Sequence, residues 1–225
     1  MTDTLGTQNA ILDTANTLFQ AQGFDTISLS DIATHAHIPL DTIARDYSST
    51  TQIALHIYNR LSQQSLETAQ DIAPAALSEQ YYTLLEQRLT SLEAHSEAVS
   101  ILFATAMRPS ASITASDLSS GKSDPMMHAM QFIVDTSSDK FTRDSDEMVL
   151  FLYAFHFLVI IFWLYDRSDD KAASHMFTHF IRDFIKAIRP MMVMPFVIKA
   201  LRKVSQIMLV VFGGAHIVES TPENP

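Results

Sequence analysis

Residues 28–47 read SLSDIATHAHIPLDTIARDY, and this stretch decides the fold. Ser28 is suited to cap a helix, with Asp31 three residues later at the spacing of a capping box. Apolar residues at helical spacing follow, and the pattern breaks at residues 37–39. The proline there suits the first turn of a second helix because its missing N–H has no intrahelical partner. The sequence therefore predicts two short helices joined by a tight turn.

The second of these helices is predicted to run from about Pro39 to Tyr47. Three of its side chains can turn inward and hold it against the first helix, namely Ile38, Ile43 and Tyr47. The others are left for solvent or a ligand: Leu40, Asp41, Thr42, Ala44, Arg45 and Asp46. In a helix-turn-helix the outward face of the second helix enters the DNA major groove. DNA is thus the first candidate partner.

Helices are also predicted on both sides of this stretch. Residues 7–22 carry apolar side chains at helical spacing, and Gly23 follows where a helix C-cap would place it. After Tyr47, the hydroxyl-rich residues 48–51 offer caps for a long helix that extends to about Asp71. The first of these helices is expected to brace the helix-turn-helix.

Over about the first 65 residues the chain resembles the TetR family of transcriptional regulators. The resemblance rests on apolar residues, a glycine, a cap and a threonine in register: Ile11, Leu12, Ala15, Leu18, Phe19, Gly23, Phe24, Ser28, Leu29, Asp31, Ile32, Ala33, Ala36, Thr42, Ile43, Tyr47, Ser49 and Leu55. It implies an all-α fold with a three-helix DNA-binding domain (1–50) and a helical ligand-binding and dimerisation domain (51–190). It also implies a homodimeric repressor of operator DNA that is controlled by a hydrophobic small molecule.

Five residues are candidates for DNA contact: Ser28, Leu40, Thr42, Arg45 and Thr50. Ser28 can offer phosphate a hydroxyl and a helix N-terminus, and Arg45 can reach a guanine edge or a phosphate. The alternative is that Ser28 only caps a helix and that Arg45 pairs with Asp41, four residues earlier.

Four positions depart from the family pattern on this same surface. Asp41 stands in place of the usual glycine, and Ala44 and Asp46 stand where aromatic residues or histidine are common. Thr50 takes the place of a phosphate-contacting lysine.

Charge opposes attraction to a polyanion. The chain has 15 Lys and Arg against 25 Asp and Glu, a net charge of −10. In residues 1–65 the only bases are Arg45 and Arg60, against six acids: Asp3, Asp13, Asp25, Asp31, Asp41 and Asp46. A DNA-binding domain usually supplies several Lys or Arg to phosphates, and this one offers few.

The most apolar run is residues 148–164, MVLFLYAFHFLVIIFWL. Its length is at the lower edge of a bilayer span, roughly 20 residues, and it lacks flanking Lys or Arg. We therefore expect a buried helix at a domain core or a subunit interface. Together with the next predicted helix, residues 169–189, it would form the dimer interface that the resemblance implies, through Phe155, Leu158, Phe162, Met176, Phe180 and Phe184.

Between these regions, a helical pattern from Leu77 to about Met107 is predicted to break near His95. A serine-rich loop (108–124) and a helix from Pro125 to about Val134 follow. The 14 Phe and 11 Met of the chain suggest either a tight core or an adaptable apolar pocket. Candidate pocket residues are Phe103, Met107, Phe132, Phe151 and His156, although a lone histidine in an apolar helix is more often a hydrogen-bonded core residue.

The C-terminal part is predicted to form an additional amphipathic helix (191–213) before a flexible tail (214–225). Lys199, Arg202 and Lys203 lie on one stripe among apolar residues, in a basic segment of an acidic chain. Such a helix is typical of a membrane-surface or partner-docking element. The alternative is a helix that covers the domain's own apolar groove with its bases in water.

Other chemistry finds little support in the sequence. His175 and His179 are four residues apart but lack a carboxylate at the spacing of a known metal motif, so we expect neither a metal nor a cofactor. There is no enzyme motif in the sequence. There is also no cysteine, which fits a reducing cytoplasm. No secretion signal is recognisable at the N-terminus.

Two functions follow as hypotheses. The first is a TetR-like regulator that binds operator DNA. The second is a TetR-like protein that no longer binds DNA and binds lipid instead, associated with the inner membrane face through its C-terminal helix.

Overall fold

The computed structural model describes residues 4–107, 124–139 and 145–194, and after them residues 196, 197, 199, 200, 202–204 and 207. The loop predicted at 108–124 lies outside the described residues except for Asp124, and the tail 214–225 lies wholly outside them. The described part is helical and contains no strand. The α-helices are α1 (Thr4–Gln22), α2 (Leu29–Ala36), α3 (Leu40–Asp46), α4 (Thr50–Asp71), α5 (Leu77–Glu93), α6 (Ser96–Ala106), α7 (Pro125–Thr136), α8 (Ser145–Tyr165) and α9 (Ala172–Ile188). The predicted all-α fold is confirmed.

Helices α1 to α3 form an N-terminal head, and local chemistry sets their ends. Gly23 ends α1 with φ 83°, a left-handed conformation that glycine adopts without steric cost. The predicted capping box is present at the start of α2, where Ser28 accepts from the Asp31 backbone N–H and Asp31 accepts from that of Ser28. His37 ends α2 with φ 55°, which the sequence analysis did not foresee.

The turn between α2 and α3 corrects the predicted bounds of the second helix slightly. Pro39 is the N-cap of α3 rather than its first residue, and Tyr47 is the C-cap rather than its last. The inward side chains are those expected, since Ile43 and Tyr47 are buried and Ile38 packs partly buried against the core.

Helix α4 leaves the head and becomes part of the larger domain, and polar contacts fix the head to that domain. Arg60 on α4 pairs with Asp13 on α1 at 2.7 Å. Three residues further along α1, Asn16 Nδ2 donates to the carbonyl of Ala94 at 3.0 Å, just after α5 ends. The head is therefore held to the larger domain by contacts with both α4 and the end of α5.

In the larger domain, α7 packs against α4 and α8, while α9 packs against α5. Phe151, Leu152 and Tyr153 of α8 are almost completely buried. By length and composition, Asp146–Tyr165 could cross a membrane, but 61% of this window is buried inside the fold. Burial of that extent is what a core helix would show.

Asp139 joins three helix ends. This side chain is 5% exposed, and its Oδ2 accepts from the backbone N–H of Leu77 at 3.0 Å, the first residue of α5. Its Oδ1 pairs with Arg189, just after α9, at 2.6 Å. Because the carboxylate is buried and the guanidinium is about half exposed, the N–H contact should contribute more to stability than the ion pair.

We expect Asp139→Ala to lower the free energy of unfolding by about 1–3 kcal/mol, because it leaves a buried N–H of α5 without an acceptor. Arg189→Ala removes only a solvent-screened ion pair and should cost below about 1 kcal/mol. Urea unfolding followed by circular dichroism measures both. Equal losses for the two variants would contradict this ranking.

Candidate DNA interface and ligand site

The outward side of α3 forms what we call the reading surface: Leu40, Asp41, Thr42, Ala44 and Arg45. Leu40 is 42% exposed, Asp41, Ala44 and Arg45 are exposed, and Thr42 is half-buried. The opposite side of the helix is seated in the core through Ile43, which is fully buried. The reading surface is therefore presented by a firmly packed helix.

Ser28 is engaged in capping. Its Oγ accepts from the Asp31 backbone N–H at 3.2 Å and donates to Asp31 Oδ2 at 2.5 Å. These hydrogen bonds lower the pKa of the Asp31 carboxyl, so a carboxylate already occupies the N-terminus of α2 where a phosphate would approach. The capping alternative for Ser28 is observed, and any phosphate here would meet a negative charge.

Arg45 is not engaged in the same way. No ion pair links it to Asp41, or to any other acid among the described residues. The next base along the chain, Arg60 of α4, is held by Asp13. Arg45 is thus the base of the head that remains available to a polyanion.

Thr50 is the first residue of α4 and lies half-buried at its N-terminus. The turn before it is ordered by two contacts of Gln52, which donates its N–H to Ser49 Oγ at 3.2 Å and accepts from Ser48 N at 2.7 Å. A helix N-terminus carries partial positive charge, so Thr50 occupies a position suited to phosphate even without a lysine.

The predicted pocket residues are only partly brought together. Phe103 of α6 and His156 of α8 both pack on Phe157, with ring centroids 6.3 and 4.3 Å apart. Phe151 is buried further along α8, and Phe132 of α7 packs partly buried against the core. Met107 is 58% exposed at the end of α6, so it lies at the surface.

Against Tyr58, whose ring packs near Phe103, lies a buried arginine that the sequence analysis missed. Arg88 of α5 is 1% exposed, its guanidinium lies 4.9 Å from the ring centre of Tyr58, and its Nη atoms donate to Ser62 and Ser65 at 3.2 and 3.3 Å. All three partners belong to α4. The signal was present in the sequence, because the leucines at helical spacing around Arg88 place it on the apolar face of α5: Leu84, Leu85 and Leu92.

The predicted dimer-interface residues form an apolar surface on α8 and α9. Phe162, Met176 and Phe180 are 41, 72 and 60% exposed. Phe180 stacks with Phe184 at 6.1 Å between ring centroids, whereas Phe155 and Leu158 are half-buried. We call the exposed part of this set the α8–α9 face.

His175 and His179 contact α5 separately. His175 Nδ1 lies 2.8 Å from Glu86 Oε2, and His179 Nε2 lies 3.2 Å from the Tyr82 hydroxyl. Among the described residues, no group of three or more His, Cys, Asp or Glu side chains could hold a metal ion.

The C-terminal segment presents exposed basic and apolar side chains together. Lys199, Arg202 and Lys203 are exposed, and so are Phe196 and Ile207, at 63 and 55%. Arg202 pairs with Glu147 near the start of α8, a contact that the sequence analysis did not anticipate.

Comparison with known proteins agrees with this architecture. Residues 11–57 match the model of bacterial regulatory proteins of the tetR family. No curated protein matches the chain by sequence. A tetR-family transcriptional regulator from Streptomyces coelicolor superimposes with a TM-score of 0.59 at 14% identity, covering 90% of this chain and 89% of that one. A Rhodococcus sp. RHA1 protein of unknown function gives 0.51 at 14% identity, covering 79% and 94%.

The family match covers the helix-turn-helix and the start of α4, which are the elements that carry the reading surface. The two structural likenesses extend over most of the chain and concern its fold. Over residues 11–57 the head of this chain is therefore similar to the tetR family of bacterial regulatory proteins, and the chain has a TetR-like all-helical fold.

Proposed function

We propose that the protein is a DNA-binding transcription regulator, acting as a repressor, in which α3 enters the major groove. The observation that carries this is the family match over residues 11–57 together with an exposed and firmly seated α3. Helix-turn-helix proteins place the outward residues of the second helix against base edges. On this proposal Leu40, Thr42 and Arg45 face the groove and Thr50 approaches a phosphate at the N-terminus of α4, while Ser28 keeps its capping role beside the Asp31 carboxylate.

The charges of the head set how strongly it can bind. Each phosphate neutralised by a Lys or Arg adds to the salt dependence of binding, and Arg45 is the available base. Asp41 and Asp46 flank it in the same helix. We therefore expect affinity that is modest for this class and that depends weakly on salt.

A homodimer would present two heads to DNA. The α8–α9 face supports this proposal, because contiguous exposed apolar surface typically marks a protein contact. Association through one face related by a two-fold axis gives an isologous dimer. Its two reading helices would address half-sites about one helical turn of DNA apart.

We propose a hydrophobic small molecule as the effector, bound in the domain 51–190, with residues 1–50 as the DNA-binding domain. Helix α4 supports a coupling between them because it spans both, from Thr50 beside the reading surface to the serines that contact Arg88. A change at Arg88 would therefore act on the helix that begins at the head. This role places the protein in the cytoplasm.

A second function is supported by a different observation. The exposed Phe196, Val204 and Ile207 accompany exposed bases in the C-terminal segment, while the head is acidic. Anionic lipid surfaces attract such a combination of basic and apolar side chains. The alternative proposal is a lipid-binding accessory protein at the inner membrane face that does not bind DNA.

The first proposal is tested by titrating DNA from the promoter region of its own gene with the protein at several salt concentrations. The logarithm of the association constant should fall linearly with the logarithm of the salt concentration, with a slope of about −2 for a dimer that makes two arginine contacts. Arg45→Ala should abolish most of that slope. Thr50→Lys should raise the affinity and steepen the slope to about −4, whereas Gln63→Lys, the same charge change further along α4, should leave it unchanged. If Arg45→Ala and Thr42→Ala both leave the affinity unaltered, the reading surface is wrong.

For the dimer, sedimentation equilibrium should give twice the chain mass of 25.2 kDa. Phe180→Asp places a charge in the α8–α9 face and should yield monomers, since a buried unpaired carboxylate is strongly unfavourable. Leu5→Asp, at an exposed apolar residue of α1, serves as the matched control and should remain dimeric. A monomeric native protein would exclude this interface.

For the lipid alternative, flotation with vesicles containing phosphatidylglycerol should recover the protein, and deletion of 195–213 should abolish recovery. Lys199→Glu should weaken binding by more than about 1 kcal/mol, because each base near an anionic surface contributes about that amount. Arg167→Glu, in the exposed turn after α8, is the control. Binding that is equal with uncharged phosphatidylcholine vesicles would contradict the role of the bases.

A further inference from the structure

Among the described residues of the larger domain, four buried polar side-chain atoms lack a hydrogen-bond partner. One is Gln80 Oε1, and the other three are the subject here: Arg88 Nε, Tyr58 Oη and His156 Nε2. Each of the three side chains is 1% exposed. Arg88 lies against the Tyr58 ring and is close enough to influence the pKa of His156. Buried polar groups in folded proteins almost always have partners, so a cluster of unsatisfied ones points to a missing group.

The positive charge of Arg88 indicates the chemical class of that missing group. Within the part of the chain that the structure describes, Arg88 forms no ion pair with a carboxylate. The nearby Asp124 accepts instead from the Tyr153 hydroxyl and from the Met126 N–H at 2.8 Å. A buried guanidinium that donates to serine hydroxyls, and to no carboxylate among the described residues, is a strong site for an anion.

His156 contributes a hydrogen-bond acceptor, in contrast to the donors of Arg88. Its Nδ1 lies 2.9 Å from the Tyr153 carbonyl oxygen, so Nδ1 carries the proton and Nε2 presents a lone pair. Burial, assisted by the charge of Arg88, lowers the pKa of His156 to about 3, which keeps the ring neutral. The cluster therefore offers donors at Arg88 and Tyr58 and an acceptor at His156.

Aromatic rings surround these atoms. Phe103 lies 6.0 Å from Tyr58 and 6.3 Å from Phe157, and Phe157 lies 4.3 Å from His156, between ring centroids. A ligand here would meet polar groups at one end and apolar walls around them. That combination selects a molecule with a charged head and an apolar body.

We infer that this cluster binds the carboxyl group of an amphipathic organic acid. The carboxylate pairs with Arg88 and accepts from the Tyr58 hydroxyl, and the neutral His156 ring beside them adds no charge that would oppose this pairing. The site deepens the proposed regulator, because it narrows the effector to a class, and its regulatory consequence rests on that proposed function. Ordered water is the competing occupant.

The position of the cluster against α4 allows a bound ligand to influence the head. Tyr58, Ser62 and Ser65 all lie on α4, and they hold Arg88 through a ring contact and two hydrogen bonds. A carboxylate that takes Arg88 as its partner competes with these serines. Binding would then alter the packing of α4 against α5, and α4 begins at the reading surface.

The test is calorimetric titration of the full-length protein with laurate and with 1-dodecanol, which share an apolar chain and differ in charge. Laurate should bind at least tenfold more tightly than dodecanol. Arg88→Met should remove at least tenfold of the laurate affinity, as expected for loss of a charge-assisted contact, while Arg167→Met should leave it unchanged. Equal affinity for the two probes, or laurate affinity that survives Arg88→Met, would overturn the inference.

A second measurement follows binding in the native protein. In the native protein labelled with ¹⁵N-histidine, laurate should shift the Nε2 resonance of His156, because a carboxylate is brought close to that ring; His156→Gln identifies the resonance. An unmoved resonance at saturating laurate, as expected if water alone fills the site, rejects the assignment. If laurate binds but promoter DNA does not, the ligand site stands and the proposed regulator is excluded. If promoter DNA binds but laurate does not, the regulator stands and the ligand site is excluded.

Discussion

The buried contact between Arg88 of α5 and helix α4 is the interaction on which the core of the larger domain depends. Burying an arginine, here 1% exposed, costs free energy unless its N–H groups have hydrogen-bond partners. The contacts of Arg88 come from two serine hydroxyls and a tyrosine ring, all on α4. The same helix is tied to the head by Arg60 and Asp13. Because α4 runs unbroken from Thr50 to Asp71, the buried cluster and the head share one rigid element.

The head combines a regulator's backbone with an unusual surface. Its helices, caps and core follow the tetR pattern over residues 11–57, but acids surround the reading surface and one base, Arg45, is available on it. Backbone architecture and surface charge are separate properties, since a core can be retained while solvent-facing residues change freely. The fold therefore supports DNA binding, and the charge limits how strong that binding can be.

Several exposed apolar side chains come together at two places in the described residues. The α8–α9 face carries exposed, stacked phenylalanines, which suits a second copy of the chain. The C-terminal segment mixes apolar and basic side chains, and Arg202 is already paired with Glu147 of the same chain. That pairing leaves Lys199 and Lys203 to face an external partner.

The amino-acid sequence by itself determined the helices and the head, because caps, glycine and apolar spacing are local signals: the Ser28–Asp31 capping box, Gly23 and the inward Ile43 could all be predicted. Only the tertiary structure decided which polar groups meet. Arg88 and His156 are 68 positions apart in the chain, and nothing local shows that both are buried side by side with unsatisfied nitrogens. Likewise, Asp139 and Arg202 found partners on distant helices, since long-range contacts depend on how helices pack rather than on their own sequence.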